Sequence, residues 1–232
     1  MSTRTLFIHI PKTAGTSISA SCPSFPVTER LISDDKIAEG RMNARSYHTL
    51  SPSLIPNPFG FIKHTPYNYL GRDKISRYDN AFAIVRNPWS RMVSMYHHGI
   101  YISENAKKTW YHQDKISWDE FISRMDSFRM NPSYYWNHPF DQWASQMDWV
   151  TKNYKVKCDI LRYEHIQEDI NSYFGENIEL KKENIGVYKK HYSEYYTEEQ
   201  KQKIADWFRL EIEYWGFTFE SGATKNYWIK DV

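Results

Sequence analysis

Residues 5–10, TLFIHI, form a short apolar run that stops at Pro11. A strand covered on one face alternates apolar and polar side chains, whereas a strand covered on both reads as a nearly continuous apolar stretch. This run therefore predicts a buried strand of a parallel sheet. The loop behind it narrows the possibilities further. Lys12-Thr13-Ala14-Gly15-Thr16-Ser17 places a lysine, two small residues and three hydroxyls in six positions. Gly15 is read as the permissive turn residue, and Thr16-Ser17-Ile18 as the opening of a helix. In a strand-loop-helix unit the N–H groups of the loop and first helical turn converge on one spot, and the helix dipole adds partial positive charge there. Such a unit accepts an anion.

A second unit of the same kind lies at 81–103. AFAIVR is strand-like, Asn87-Pro88 supplies an N-cap followed by proline at the first helical position, and Trp89, Met92, Val93, Tyr96 and Ile100 share one helical face. GFIKHTPY (60–67) is predicted as a short strand ending at Lys63-His64. VKCDILRY (156–163) is predicted as another, with Glu164 starting a helix that carries Ile166, Ile170, Tyr173 and Phe174 and stops at Gly175. The last helix begins with the capping box Thr197-Glu198-Glu199-Gln200, turns Ile204, Trp207, Phe208, Ile212 and Trp215 inward, and ends at Gly216. Strands alternating with helices predict an α/β protein whose central, mainly parallel sheet is flanked by helices in three layers. The 232 residues fit a single domain, interrupted at about 104–150 by an aromatic, helix-leaning insertion.

The net charge of +2 argues against a nucleic-acid-coating protein, so anion binding must be local. Aromatics make up 17% of the chain, more than an ordinary core needs, so some are expected to line a cleft. Cys22 and Cys158 match no metal or redox spacing and are read as reduced thiols, with a disulfide between them as the alternative. No apolar stretch approaches the ~20 residues of a spanning helix and no signal peptide opens the chain, which predicts a cytoplasmic protein.

The lysine of the first loop precedes its only glycine, so the loop is not the G-x-x-x-x-G-K-[ST] pattern of ATPases. At the end of the second strand stands Arg86, and strand carboxyl ends are where open α/β sheets bind ligands. Ser94 comes two turns later on the side of Ser90 and Arg91. A planar guanidinium and a hydroxyl suit a second phosphate, whereas a magnesium-dependent kinase more often places an aspartate there. Taken singly, each motif has a plain alternative: a glycine turn beside a solvated lysine, or an arginine paired with a local carboxylate.

Together, HIPKTAGTS (9–17) and VRNPWSRMVSMY (85–96) resemble the PAPS-dependent sulfotransferases, in particular the carbohydrate and heparan-sulfate-like branch, sulfotransferase family 2. KHTPYNYL (63–70), NHPFDQWASQMDWVT (137–151), ILRYEHIQEDINSYF (160–174) and HYSEYYTEEQ…EIEYWGF (191–217) continue the resemblance, with Gln146 nearest to a Pro-Gln pairing that is blurred here. The resemblance implies a P-loop-like fold and transfer of a sulfuryl group from 3′-phosphoadenosine 5′-phosphosulfate (PAPS) to an acceptor hydroxyl, most naturally on a carbohydrate, with no catalytic metal. It makes Lys12, Thr13, Ala14, Gly15, Thr16 and Ser17 the 5′-phosphosulfate loop, and Arg86 with Ser94 the 3′-phosphate site. His64 becomes the base, His48 in RSYHTL the second candidate, and Lys190, Tyr192 and Tyr196 part of a segment closing over the nucleotide. Glu164 is read as a helix-start carboxylate, with the orienting of a basic group as the alternative, and His9, His97 and His98 as structural.

The first strand's nearness to Met1 leaves no room for a Golgi-type anchor, so a bacterial or viral enzyme is expected, acting on a small alcohol without nucleic acid or membrane. Two other functions compete: a P-loop-type kinase, and a non-catalytic protein binding a nucleotide or sulfated glycan.

Overall fold

The computed structural model describes residues 5–21, 67, 75–76, 78–105, 116–130, 143–153, 155–181 and 190–226. Strand β1 (Thr5–Ile8) leads through loop 9–14 to helix α1 (Gly15–Ser21), and β2 (Asn80–Val85) leads through Arg86 and Asn87 to α2 (Pro88–Asn105). Helices α3 (Trp118–Met130) and α4 (Gln146–Val150) come next, then the antiparallel pair β3 (Thr151–Lys152) and β4 (Lys155–Val156), then β5 (Asp159–Arg162). A 3-10 turn at Tyr163–His165 opens α5 (Ile166–Phe174). Another at Tyr192–Tyr195 precedes α6 (Glu198–Trp207) and α7 (Arg209–Trp215).

The described sheet has the order β1-β2-β5 with every pairing parallel. Its register aligns Ile8 with Ala83 and Val85 with Arg162, so all three carboxyl ends open on one edge. Pleating sends successive side chains to opposite faces, and the core divides accordingly. Leu6, Ile8, Ala83, Val85 and Ile160 pack with Met92 of α2, Phe121 of α3, Ile204 of α6 and Trp215 of α7. Phe7, Phe82, Ile84 and Leu161 pack with Ile18 of α1 and Ile170 of α5. Helices on both faces explain why the strands carry apolar side chains in both directions, as the sequence predicted.

Two elements depart from the sequence reading. VKCDILRY is two strands, because 155–156 pairs with β3 whereas 159–162 pairs with β2, and the Lys157 N–H is taken by the Val150 carbonyl at 2.8 Å between them. The last helix carries its capping box but bends at Phe208 (φ −103°, ψ 21°); i to i−4 hydrogen bonds run through the bend, so the apolar stripe is uninterrupted in sequence. The predicted insertion contains helices α3 and α4 among its described residues. The strand predicted at 60–67 lies outside the described residues apart from Tyr67. Cys158 is a free, fully buried thiol, as read, and burial pushes its pKa up.

The first loop does not turn at its glycine. The left-handed conformations fall on Lys12 (φ 66°) and Ala14 (φ 68°), and Gly15 is not among the positive-φ residues. Gly15 is required for a different reason: a Cβ there would lie 1.7 Å from Nε2 of His9, whose ring is buried beneath the first turn of α1. Gly15→Ala is expected to destabilise the fold by about 1–3 kcal/mol through overpacking, measured by chemical denaturation. The same change in a His9→Ala background is expected to cost much less, and equal costs in the two backgrounds would contradict this account.

Candidate functional site

Loop 9–14, residue Arg86 and residues 163–164 leave the three parallel strands at the same edge. Lys12 is held there mostly buried, and its pKa is lowered to about 8, first by desolvation and then by the Arg86 charge. Burial disfavours the charged ammonium, and a second cation close by disfavours it again. Arg86 is more enclosed still, at 7% exposure. Its Nη1 donates to the Lys12 carbonyl at 3.2 Å, while Nε and Nη2 donate to Ser90 Oγ at 3.1 and 2.8 Å. The Tyr163 ring lies under the guanidinium, 4.3 Å from its carbon. Stacking and hydrogen bonds thus fix the guanidinium plane against Lys12.

The next helix, α2, is built to start here. Asn87 Oδ1 accepts from Ser90 N at 3.1 Å, the N-cap that the Asn-Pro pair predicted. Asn87 Nδ2 also donates to the Thr218 and Ser221 carbonyls at 2.9 and 2.8 Å, which pins the C-terminal loop over the strand ends. Ser94, one turn past Ser90 on the same side of α2, is buried at 9% exposure.

In the loop itself the Thr13 hydroxyl donates to the Ile10 carbonyl at 2.9 Å and is fully buried. Thr13 therefore closes the loop with its side chain, and only its backbone N–H is left to face a ligand. Thr16 is exposed and Ser17 half-exposed at the start of α1. Lys190 is exposed, and Tyr192 donates its hydroxyl to the Phe219 carbonyl. Tyr196 donates to the Trp89 carbonyl at 2.8 Å. The segment expected to close over a nucleotide is thus tied to the C-terminal loop and to the start of α2. His64 and His48 lie outside the described residues. His9 is buried against Phe7, and His97 Nε2 lies 2.7 Å from the Tyr195 hydroxyl.

Several residues of the site find their partners far along the chain. Glu164 lies in the 3-10 turn that opens α5, and its Oε1 accepts from the Asn87 N–H at 2.8 Å, across 77 positions. Burial raises its pKa, opposed by that hydrogen bond and by Arg86. Gly222 packs on it so closely that a Cβ would come within 2.7 Å. Gln146 grips the backbone of Arg86, with Oε1 accepting from its N–H at 2.9 Å and Nε2 donating to its carbonyl at 2.8 Å. Behind Gln146 sits Glu211, fully buried, its pKa raised by desolvation and pulled back by Arg91, Ser145 and Gln146. Arg91, also fully buried, donates to the Pro11 carbonyl at 3.2 Å and to the Ala144 carbonyl at 2.9 Å. One signal pointed this way: Glu211 falls between Phe208 and Trp215 on an apolar stripe, where a solvated carboxylate has no place.

A lysine loop and a braced arginine thus meet at one edge of a parallel α/β sheet. The sequence model of the sulfotransferase family matches residues 2–218, and the chain belongs to that family. No curated protein matches the chain. Among the described residues no helix is long and apolar enough to cross a membrane.

Lys12 burdens the fold at neutral pH. An unfolded lysine loses its proton near 10.5 and this one near 8, so below pH 8 both states are charged and the folded one bears the desolvation and repulsion. Stability rises with pH between about 8 and 10.5, where the unfolded chain binds the extra proton. Lys12→Met is expected to stabilise the ligand-free protein at pH 7 by on the order of 2 kcal/mol. In denaturant titrations that gain should fade toward pH 10.5; a destabilised variant at pH 7 would contradict the reading.

Proposed function

We propose that the protein transfers the sulfuryl group of PAPS to an acceptor hydroxyl, with a carbohydrate as the acceptor class. The observation that supports this most is the crowding of Lys12 and Arg86: two enclosed cations joined through a backbone hydrogen bond, the first with its pKa brought down to about 8. An anion arriving between them offsets the repulsion and stabilises the charged form of the lysine. Membership of the sulfotransferase family supplies the reaction class.

In this reading the backbone N–H groups of loop 12–17 hold the 5′-phosphate, and the hydroxyls of Thr16 and Ser17 add donors. Arg86 and Ser94 take the 3′-phosphate, and Lys190 and Tyr192 belong to the segment beside the nucleotide. The acceptor oxygen bonds to sulfur as the bond from sulfur to the bridging oxygen breaks. The bridging oxygen leaves with the electron pair as part of a phosphate, and Lys12 stabilises the charge that grows there. His64, with His48 as the second candidate, takes the acceptor's proton; an imidazole of pKa near ~6.5 does so at neutral pH. The chemistry asks for positioned cations and a base, and both motifs serve it with no metal assigned to a step.

The product nucleotide PAP is expected to raise the melting temperature in EDTA by linkage. Lys12→Ala and Arg86→Ala should each reduce that shift, and His64→Ala should spare it while abolishing transfer of labelled sulfate. Stabilisation by ATP with Mg²⁺ and not by PAP would instead establish the kinase reading. A PAP shift without sulfate transfer to any carbohydrate or other alcohol would establish a binding protein.

A further inference from the structure

Arg86 stands one residue beyond β2, where strand pairing has ended: the last register pair of β2 with β5 is Val85 with Arg162. Its backbone N–H and C=O therefore need partners from elsewhere, since both are enclosed. A single planar amide supplies both. Gln146 accepts from the N–H and donates to the C=O, as a neighbouring strand would.

An amide can present its oxygen and nitrogen either way round, and only one orientation serves both groups of Arg86. Glu211 selects it. Being an acceptor on both oxygens, the carboxylate takes the second Nε2 proton of Gln146 on Oε1 at 3.0 Å. Its Oε2 takes the Gln146 backbone N–H at 2.5 Å and the Ser145 hydroxyl at 2.6 Å. Both Gln146 and Glu211 are fully buried. An amide and a carboxylate at such a depth cost desolvation that apolar residues of the same size would not incur. Their arrangement converges on the backbone of one residue, and that residue carries the guanidinium of the site.

We infer that Gln146 and Glu211 are positioning residues that set the place of the Arg86 guanidinium, and through it the protein's preference for a nucleotide bearing a 3′-phosphate. The inference rests on the PAPS reading of the site. Three parts of the chain distant in sequence meet in this device: the end of β2, the N-terminus of α4 and the interior of α7. Glu211 acts through Gln146, and Gln146 acts through the Arg86 backbone; neither is assigned a contact with the nucleotide.

The test compares binding of PAP with binding of AMP, which keeps the adenosine and 5′-phosphate and lacks the 3′-phosphate, by calorimetry on the full chain. Gln146→Met keeps the side-chain length and deletes both backbone contacts. Glu211→Gln keeps the shape and removes the acceptor-only face, which serves if the first variant does not fold. The expected result is a loss of about tenfold or more in PAP affinity with AMP affinity changed less than about twofold, as for a misplaced binding group. Equal loss for PAP and AMP would mean that the pair merely supports the fold, and unchanged PAP binding would mean that Arg86 does not depend on it; either overturns the inference alone. A wild-type protein with no preference for PAP over AMP overturns the PAPS reading itself.

Discussion

The hydrogen bond from Arg86 to the carbonyl of Lys12 joins segments 74 positions apart and brings two positive side chains into one enclosed space. Everything around it is consistent with the cost of that arrangement. Like charges brought together in a poorly solvated place repel more than they would in water, and the lysine pKa is lowered first by desolvation and then by this repulsion. The chain accepts further strain at the same spot. Lys12 and Ala14 adopt left-handed backbone conformations that glycine would take more readily, and such conformations cost non-glycine residues roughly 1–2 kcal/mol each. Strain and repulsion thus fall on the same loop.

The scaffold meets this with opposite charge. Glu211 lies with Arg91 inside the protein, and Glu164 near Arg86 at the strand end. Each is held by backbone groups. Arg91 reaches the Pro11 carbonyl, Glu164 the Asn87 N–H, and Gln146 both backbone groups of Arg86. The effect is to fix the two loops and the start of α2 through their main chain. Asn87 extends this to the C-terminal loop, whose Phe219 packs edge-on against Trp89 and Tyr196.

Much of this was legible in local sequence. The strand-loop-helix units at 5–21 and 80–105, the Asn87-Pro88 start, the Gly175 and Gly216 stops and the Thr197 capping box all rest on interactions within a few residues, and all are present. Lys12 and Arg86 were singled out by their position after strands, and the fold brings them together. The readings that changed depend on contacts far apart in the chain. The requirement for Gly15 comes from the His9 ring and not from its own backbone. The role of Glu164 comes from Asn87, and that of Gln146 from Arg86 and Glu211. The split of 156–163 comes from a change of pairing partner. A sequence pattern reports what a residue can do; which partner it meets is settled by the sheet order and by helices that approach from the other end of the chain.

The central claim is that burial and the Arg86 charge hold the Lys12 pKa down in the free protein, and the proposal is that a bound anion restores it. Its side-chain titration, followed by NMR on lysine-labelled protein and assigned with Lys12→Met, tests this most directly. The free protein should give a midpoint near pH 8, and saturation with PAP should move it to ~10 or above, the ordinary lysine range. A midpoint near 10.5 in the free protein, or one that PAP leaves in place, would contradict the account.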